Sequence, residues 1–126
     1  MREIQTETAP APVGPYSQAV VHEGLLYASG QIPIDPATGE IVPGEIEDET
    51  RQVIANLRAV LEAGGSSLQR VVKATVYVTD LALFARINAI YAESFDGDPA
   101  PARATVQVAA LPLGARVEID AVAVVG

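Results

Sequence analysis

Pro101-Ala102-Arg103-Ala104-Thr105-Val106-Gln107-Val108 alternates small or apolar residues with polar ones, the signature of a β-strand. Ala102, Ala104, Val106 and Val108 form one face; Arg103, Thr105 and Gln107 form the other. Pro99 and Pro101 stop the preceding segment and force an extended entry. A guanidinium within a strand is costly to dehydrate unless an anion meets it. The apolar set is expected to face the core and Arg103 the opposite side.

The chain of 126 residues is of a length for one domain, 1–126, and its 49% hydrophobic content favours a packed core over disorder. It has no cysteine and one histidine, His22, which excludes thiolate chemistry and a multi-histidine metal centre within one chain. No metal site is expected. A net charge of −8 without a basic run disfavours phosphate backbones, so no nucleic-acid partner is expected. The amino-terminal stretch Met1–Thr8 lacks the pattern of a signal peptide, and no apolar run approaches the ~18 residues of a membrane span. A cytoplasmic protein is the expectation.

Working outward, Ala19-Val20-Val21 and Leu25-Leu26-Tyr27-Ala28 flank His22-Glu23-Gly24 and read as a hairpin. A proline-rich loop at residues 9–18 precedes them and carries Tyr16 after Pro15. A helix is expected from Glu45 to Ala63, with Ile46, Val53, Leu57, Val60 and Leu61 on its buried side and Gly64-Gly65 at its end. Residues 71–79 form a strand with Val72, Ala74, Val76 and Val78 inward and Val71, Lys73, Thr75 and Tyr77 outward. Asp80 caps a second helix, Leu81 to Phe95, whose apolar stripe of Phe84, Ile87, Tyr91 and Phe95 includes Asn88. Val117 to Val125 is the last strand, with Glu118 and Asp120 on one face.

Two helices can cover one face of such a sheet. The other would hold Lys73, Thr75, Tyr77, Arg103, Thr105, Gln107, Glu118 and Asp120 beside Val71, Val122 and Val124. That face is too apolar for water and too polar for a core, which points to a homo-oligomer packed through it. Arg103 offers a fork of donors suited to a carboxylate, and Glu118 and Asp120 are candidate bases. An interchain salt bridge between Arg103 and either acid, serving assembly alone, is an equally open reading of composition and spacing.

Gly14-Pro15-Tyr16-Ser17-Gln18-Ala19, Ala28-Ser29-Gly30-Gln31-Ile32-Pro33, Val72–Asp80, Asn88-Ala89-Ile90-Tyr91, Pro101–Val106 and Val117-Glu118-Ile119-Asp120-Ala121 together resemble the RidA (YjgF-type) family of reactive intermediate deaminases. The resemblance spans nearly the whole chain, in the family's order. It implies a chorismate-mutase-like α+β fold, a mixed sheet with two helices on one face, assembled as a homotrimer with clefts between subunits. It also implies hydrolysis of 2-imino acids, formed from enamines such as 2-aminoacrylate that pyridoxal-phosphate enzymes release, to 2-oxo acids and ammonia without metal or organic cofactor. On this resemblance Arg103 clamps the substrate carboxylate, helped by the backbone N–H of Thr105 and the region of Gly30. Glu118 activates the attacking water, Tyr16 closes the cleft, and Asn88 and Asp120 support the site.

The chain departs from the family pattern at Asp120, where glutamate is common, at Ala110, where arginine is common, and at Thr105, often cysteine or serine. Two other functions compete with deamination. One is a non-catalytic binder of small 2-oxo acids, which needs Arg103 but not Glu118. The other is a ribonuclease or translation inhibitor, against which the negative charge argues.

Overall fold

The computed structural model describes residues 1–126, a mixed α+β fold with two helices on one face of a six-stranded sheet. Its strands are β1 (Arg2–Ile4), β2 (Ala19–His22), β3 (Leu25–Gln31), β6 (Val71–Val78), β7 (Ala102–Gln107) and β8 (Val117–Val124), ordered β1-β2-β3-β8-β6-β7. A small ribbon, β4 (Ile34–Asp35) with β5 (Glu40–Ile41), stands apart. All neighbours in the large sheet are antiparallel except β6 and β7. These two are parallel because the second helix, α2 (Phe84–Ser94), crosses between them.

Helix α1 spans Ile46–Ala63. Its first turn is closed by Asp48, whose carboxylate accepts the Glu45 N–H at 2.9 Å. Gly65 ends it at φ +83°, and Gly64 lets Leu26 of β3 pack against the helix end where a β-carbon would intrude. Ile46, Val53, Leu57, Val60 and Leu61 are fully buried, as their spacing predicts. The second helix begins as a 3₁₀ turn at Leu81–Leu83, with the Asp80 carboxylate accepting the Ala82 N–H at 2.9 Å, and continues as α2, Phe84–Ser94. The hairpin turn is Glu23-Gly24, both with positive φ, the two-residue geometry that matches strand twist.

The core lies between the helices and Leu26, Ala28, Ala74, Val76, Val78, Val117, Ile119, Ala121 and Ala123 of the sheet. Two expected faces are reversed. In the parallel pairing, Arg103 stands beside Ala74, Thr105 beside Val76 and Gln107 beside Val78, so all three point to the helix side. Ala102, Ala104 and Val106 join Lys73, Thr75 and Tyr77 on the open side. The physical reason is position: β7 is the edge strand, where helix cover is incomplete and a long polar side chain can emerge beside α2.

The second reversal is at the start of β6. Val71 pairs with Ala123 and Lys73 with Val122, leaving Val72 as an extra residue. Val71 is therefore buried and Val72 exposed, opposite to the uninterrupted alternation. Apart from these shifts the open face is as expected: Lys73, Thr75, Tyr77, Glu118, Asp120 and Val122 share it, with Tyr27 of β3 alongside Val122. Tyr27 and Val106 are 44% and 41% exposed there.

Candidate functional site

The expected site residues fall into two groups on one chain. Glu118, Gly30 and Tyr16 line a cavity of about 400 Å³ whose walls include Val13, Ile32 and Leu113. Arg103, Thr105 and Asn88 lie elsewhere, at the β7 edge and α2, and none of them lines that cavity. The pairing of Arg103 with Glu118 on one sheet face, expected from alternation, is corrected by the β6–β7 register.

In the first group, β3 and β8 fall out of step between Ala28 and Gln31, and Gly30 sits at this irregularity. A β-carbon on Gly30 would run into the Glu118 carboxylate, so the absence of a side chain lets the acid lie against the backbone. Burial pushes the Glu118 carboxyl above the ordinary carboxylate range, and the charge of Asp120 adds to the effect. Asp120 accepts a hydrogen bond from Tyr77 Oη at 2.8 Å, and that bond raises the phenol's own pKa. A raised carboxyl in a partly dehydrated cavity is a stronger proton acceptor than a solvated one.

Tyr16 reaches this cavity from the loop before β2, and a buried glutamine holds that loop. Gln18 Nε2 donates to the carbonyls of Thr6 at 3.0 Å and Pro10 at 2.9 Å, while its Oε1 accepts the Thr6 N–H at 2.7 Å. The far wall is fixed by Asn56 of α1, which donates to the Ile32 and Ile34 carbonyls at 3.2 and 2.8 Å. Glu49, only 5% exposed, accepts the Arg116 N–H at 3.1 Å and Nε–H at 2.6 Å, and so anchors the entry to β8 two residues before Glu118. The acidic run at the start of α1 therefore divides by task. Asp48 caps, Glu47 accepts from Arg86 at 2.7 Å, and Glu49 turns inward.

In the second group, Arg103 donates from Nη1 to Asn88 Oδ1 at 2.7 Å. Its guanidinium carbon lies 4.8 Å from the Tyr91 ring centroid and 5.3 Å from that of Phe84. The ion pairs of the chain use other arginines, Arg51, Arg86 and Arg116, and no carboxylate of this chain balances Arg103. Val108 donates to the Val78 carbonyl at 2.8 Å; by the two-residue alternation the Thr105 N–H faces the unpaired edge, open to a ligand. Burial raises the Tyr91 hydroxyl above the ordinary tyrosine range, against an opposing pull from Arg103.

Sequence reasoning missed Phe84 and Tyr91 as neighbours of Arg103, and Gln18, Asn56, Glu49 and Arg116 as supports. The presence of Asn88 within an apolar helical stripe was the available signal for the first pair. Groups of three or more His, Cys, Asp or Glu side chains able to hold a metal ion do not occur, and no helix is long and apolar enough to cross a membrane.

Known proteins place this geometry in context. Residues 6–125 match the family model described as Endoribonuclease L-PSP. A mouse protein named 2-iminobutanoate/2-iminopropanoate deaminase is 49% identical over 123 residues, covering 98% of this chain and 90% of its own. A Rid-family protein of Yersinia pestis superposes with a TM-score of 0.94 at 50% identity over 98% of each chain. Escherichia coli TdcF, solved with bound serine, superposes with a TM-score of 0.93 at 42% identity over 100% of each chain. With this extent of match along its length, the chain belongs to the YjgF/RidA family.

Proposed function

We propose that residues 1–126 form one domain of a homotrimeric 2-imino acid deaminase. Its substrates are reactive imines and enamines such as 2-aminoacrylate, released by pyridoxal-phosphate enzymes, and its products are 2-oxo acids and ammonia. The observation that carries this reading is the state of Arg103: a charge with no acid of its own chain to meet it, fixed by Asn88 beside a free strand edge. The name of the mouse relative supports the reaction, and serine bound to TdcF supports a ligand of amino-acid size and charge.

In this reading the β7 edge of one copy meets the Glu118 cavity of the next across the open sheet face. Arg103 and the Thr105 N–H hold the substrate carboxylate, with Gly30 at that end of the cleft and Tyr16 closing it. Glu118 takes a proton from water as its oxygen adds to the imine carbon. The proton passes to nitrogen, and the regenerated Glu118 carboxylate takes the proton of the new hydroxyl as the C–N bond breaks, so that ammonia leaves and the carbonyl forms. A protonated imine is already electrophilic, so positioning and one base account for the acceleration without metal or organic cofactor. The net charge of −8 weighs against the nucleolytic reading carried by the family description.

The test generates imines with an amino-acid oxidase and traps them with semicarbazide. Wild type should suppress semicarbazone formation, and Arg103→Ala and Glu118→Gln should not. Full activity in Arg103→Ala refutes the reading. Carboxylate binding without turnover in wild type replaces it with a 2-oxo acid binder.

A further inference from the structure

Arg103 does not rest on hydrogen bonding alone. Phe84, Asn88 and Tyr91 are spaced four and three residues apart on α2, so their side chains share one helix face. Two of them present rings to the guanidinium, at 5.3 and 4.8 Å, and the third accepts from Nη1. Tyr91 is itself braced. Its ring stacks on Phe95 with centroids 4.1 Å apart and planes 9° from parallel, and the residue is 7% exposed. Its hydroxyl is buried without a hydrogen-bond partner, an unfavourable arrangement tolerated at this one position.

We propose that Phe84 and Tyr91 are positioning residues that form a two-ring cage for Arg103 and set its affinity for the substrate carboxylate. An arginine side chain free in solvent samples many rotamers and must be ordered by each ligand it binds. The rings restrict the guanidinium, Asn88 occupies one of its five N–H donors, and the rest are offered in a fixed orientation. Because the rings face the arginine and not the Glu118 cavity, their loss weakens binding and leaves the chemical step intact. The substrate assignment rests on the deaminase reading; the cage rests on geometry.

The experiment compares Tyr91→Leu, Phe84→Leu and Tyr91→Phe with wild type in three measurements. In the coupled imine assay each leucine variant should raise KM about five- to tenfold with kcat within twofold, from loss of one cation–π contact. The dissociation constant of 2-oxobutanoate should rise by the same factor. Tyr91→Phe keeps the ring and should match wild type in KM, with an equal or higher melting temperature. In NMR spectra, ring currents should displace the Arg103 Nε–H and δ-methylene protons from those of the other arginines, a displacement reduced in each leucine variant and retained in Tyr91→Phe. Unchanged KM and shifts in both leucine variants overturn the proposal, as does a loss in Tyr91→Phe equal to that in Tyr91→Leu. If wild type neither binds 2-oxobutanoate nor hydrolyses imines, the deaminase reading fails, and the NMR displacement alone decides whether the cage exists.

Discussion

Arg103 and Glu118 point to opposite faces of one sheet, on strands β7 and β8 that β6 separates. A single small ligand on one chain cannot engage both. If the two groups act on one substrate, a second copy must supply one of them.

Mixing two inactive variants tests this. Arg103→Ala and Glu118→Gln subunits, unfolded together in equal amounts and refolded, should regain activity that neither shows alone. In a closed ring of three, every mixed assembly contains one intact cleft, so about a quarter of wild-type activity should return. Zero recovery with both variants properly assembled contradicts a shared cleft.

Glu118 should leave a signature in stability. Its folded-state pKa is raised, so the ionised form is the disfavoured one. The penalty is absent below the unfolded glutamate value of about 4.3, grows as pH rises through the folded value, and then stays constant. Glu118→Gln should therefore melt above wild type at pH 7, with the gain vanishing near pH 4. Calorimetry across that range checks the sign, and a gain that persists at pH 4 rules out titration of Glu118 as its source.

Gly30→Ala probes the contact between the bulge and the acid. The new methyl group should displace the Glu118 carboxylate, which can swing away at little structural cost. Turnover should fall about a hundredfold, the scale of a misplaced catalytic group. Circular dichroism and the oligomeric state should be unchanged. Wild-type turnover in this variant shows that the carboxylate position does not matter.

The Glu49–Arg116 pair should show asymmetric costs. Glu49 is almost fully buried whereas the Arg116 side chain is 37% exposed. Glu49→Ala should cost about 3 kcal/mol in urea unfolding, the lower end for breaking a buried pair because water can reach the arginine. Arg116→Ala, which strands a buried carboxylate, should cost more, and the double variant less than the sum.

The helices and the hairpin were legible because their signals are local: a 3.6-residue stripe, an acid at the cap, glycines at the turns. The facing of β7 was not. Alanine at 102 and 104 suits either face of an edge strand, and only parallel pairing with β6 places Arg103 against α2. The Val71/Val72 bulge was invisible for a related reason, since both residues are valine and either satisfies the core. Of the site, Arg103, Glu118, Asp120 and Asn88 stood out in the residue pattern, the roles and the addition of Tyr16, Gly30 and the Thr105 N–H came from family resemblance, and the division into two clusters came from topology. The supporting roles of Gln18 and Glu49 were hidden because their partners lie 8–12 and 67 residues away in the chain.

The open face also carries Lys73, beside Val122 and Ala102. It is the only lysine in the chain, so an amine-directed reagent has two targets, its ε-amino group and the amino terminus. One mass spectrum can then report whether that face is occluded. A bare sheet would take two labels, whereas a sheet packed on another copy would take one, at the 91% exposed Met1. A single side chain thereby becomes a built-in gauge of assembly that leaves the arginine and the acid untouched.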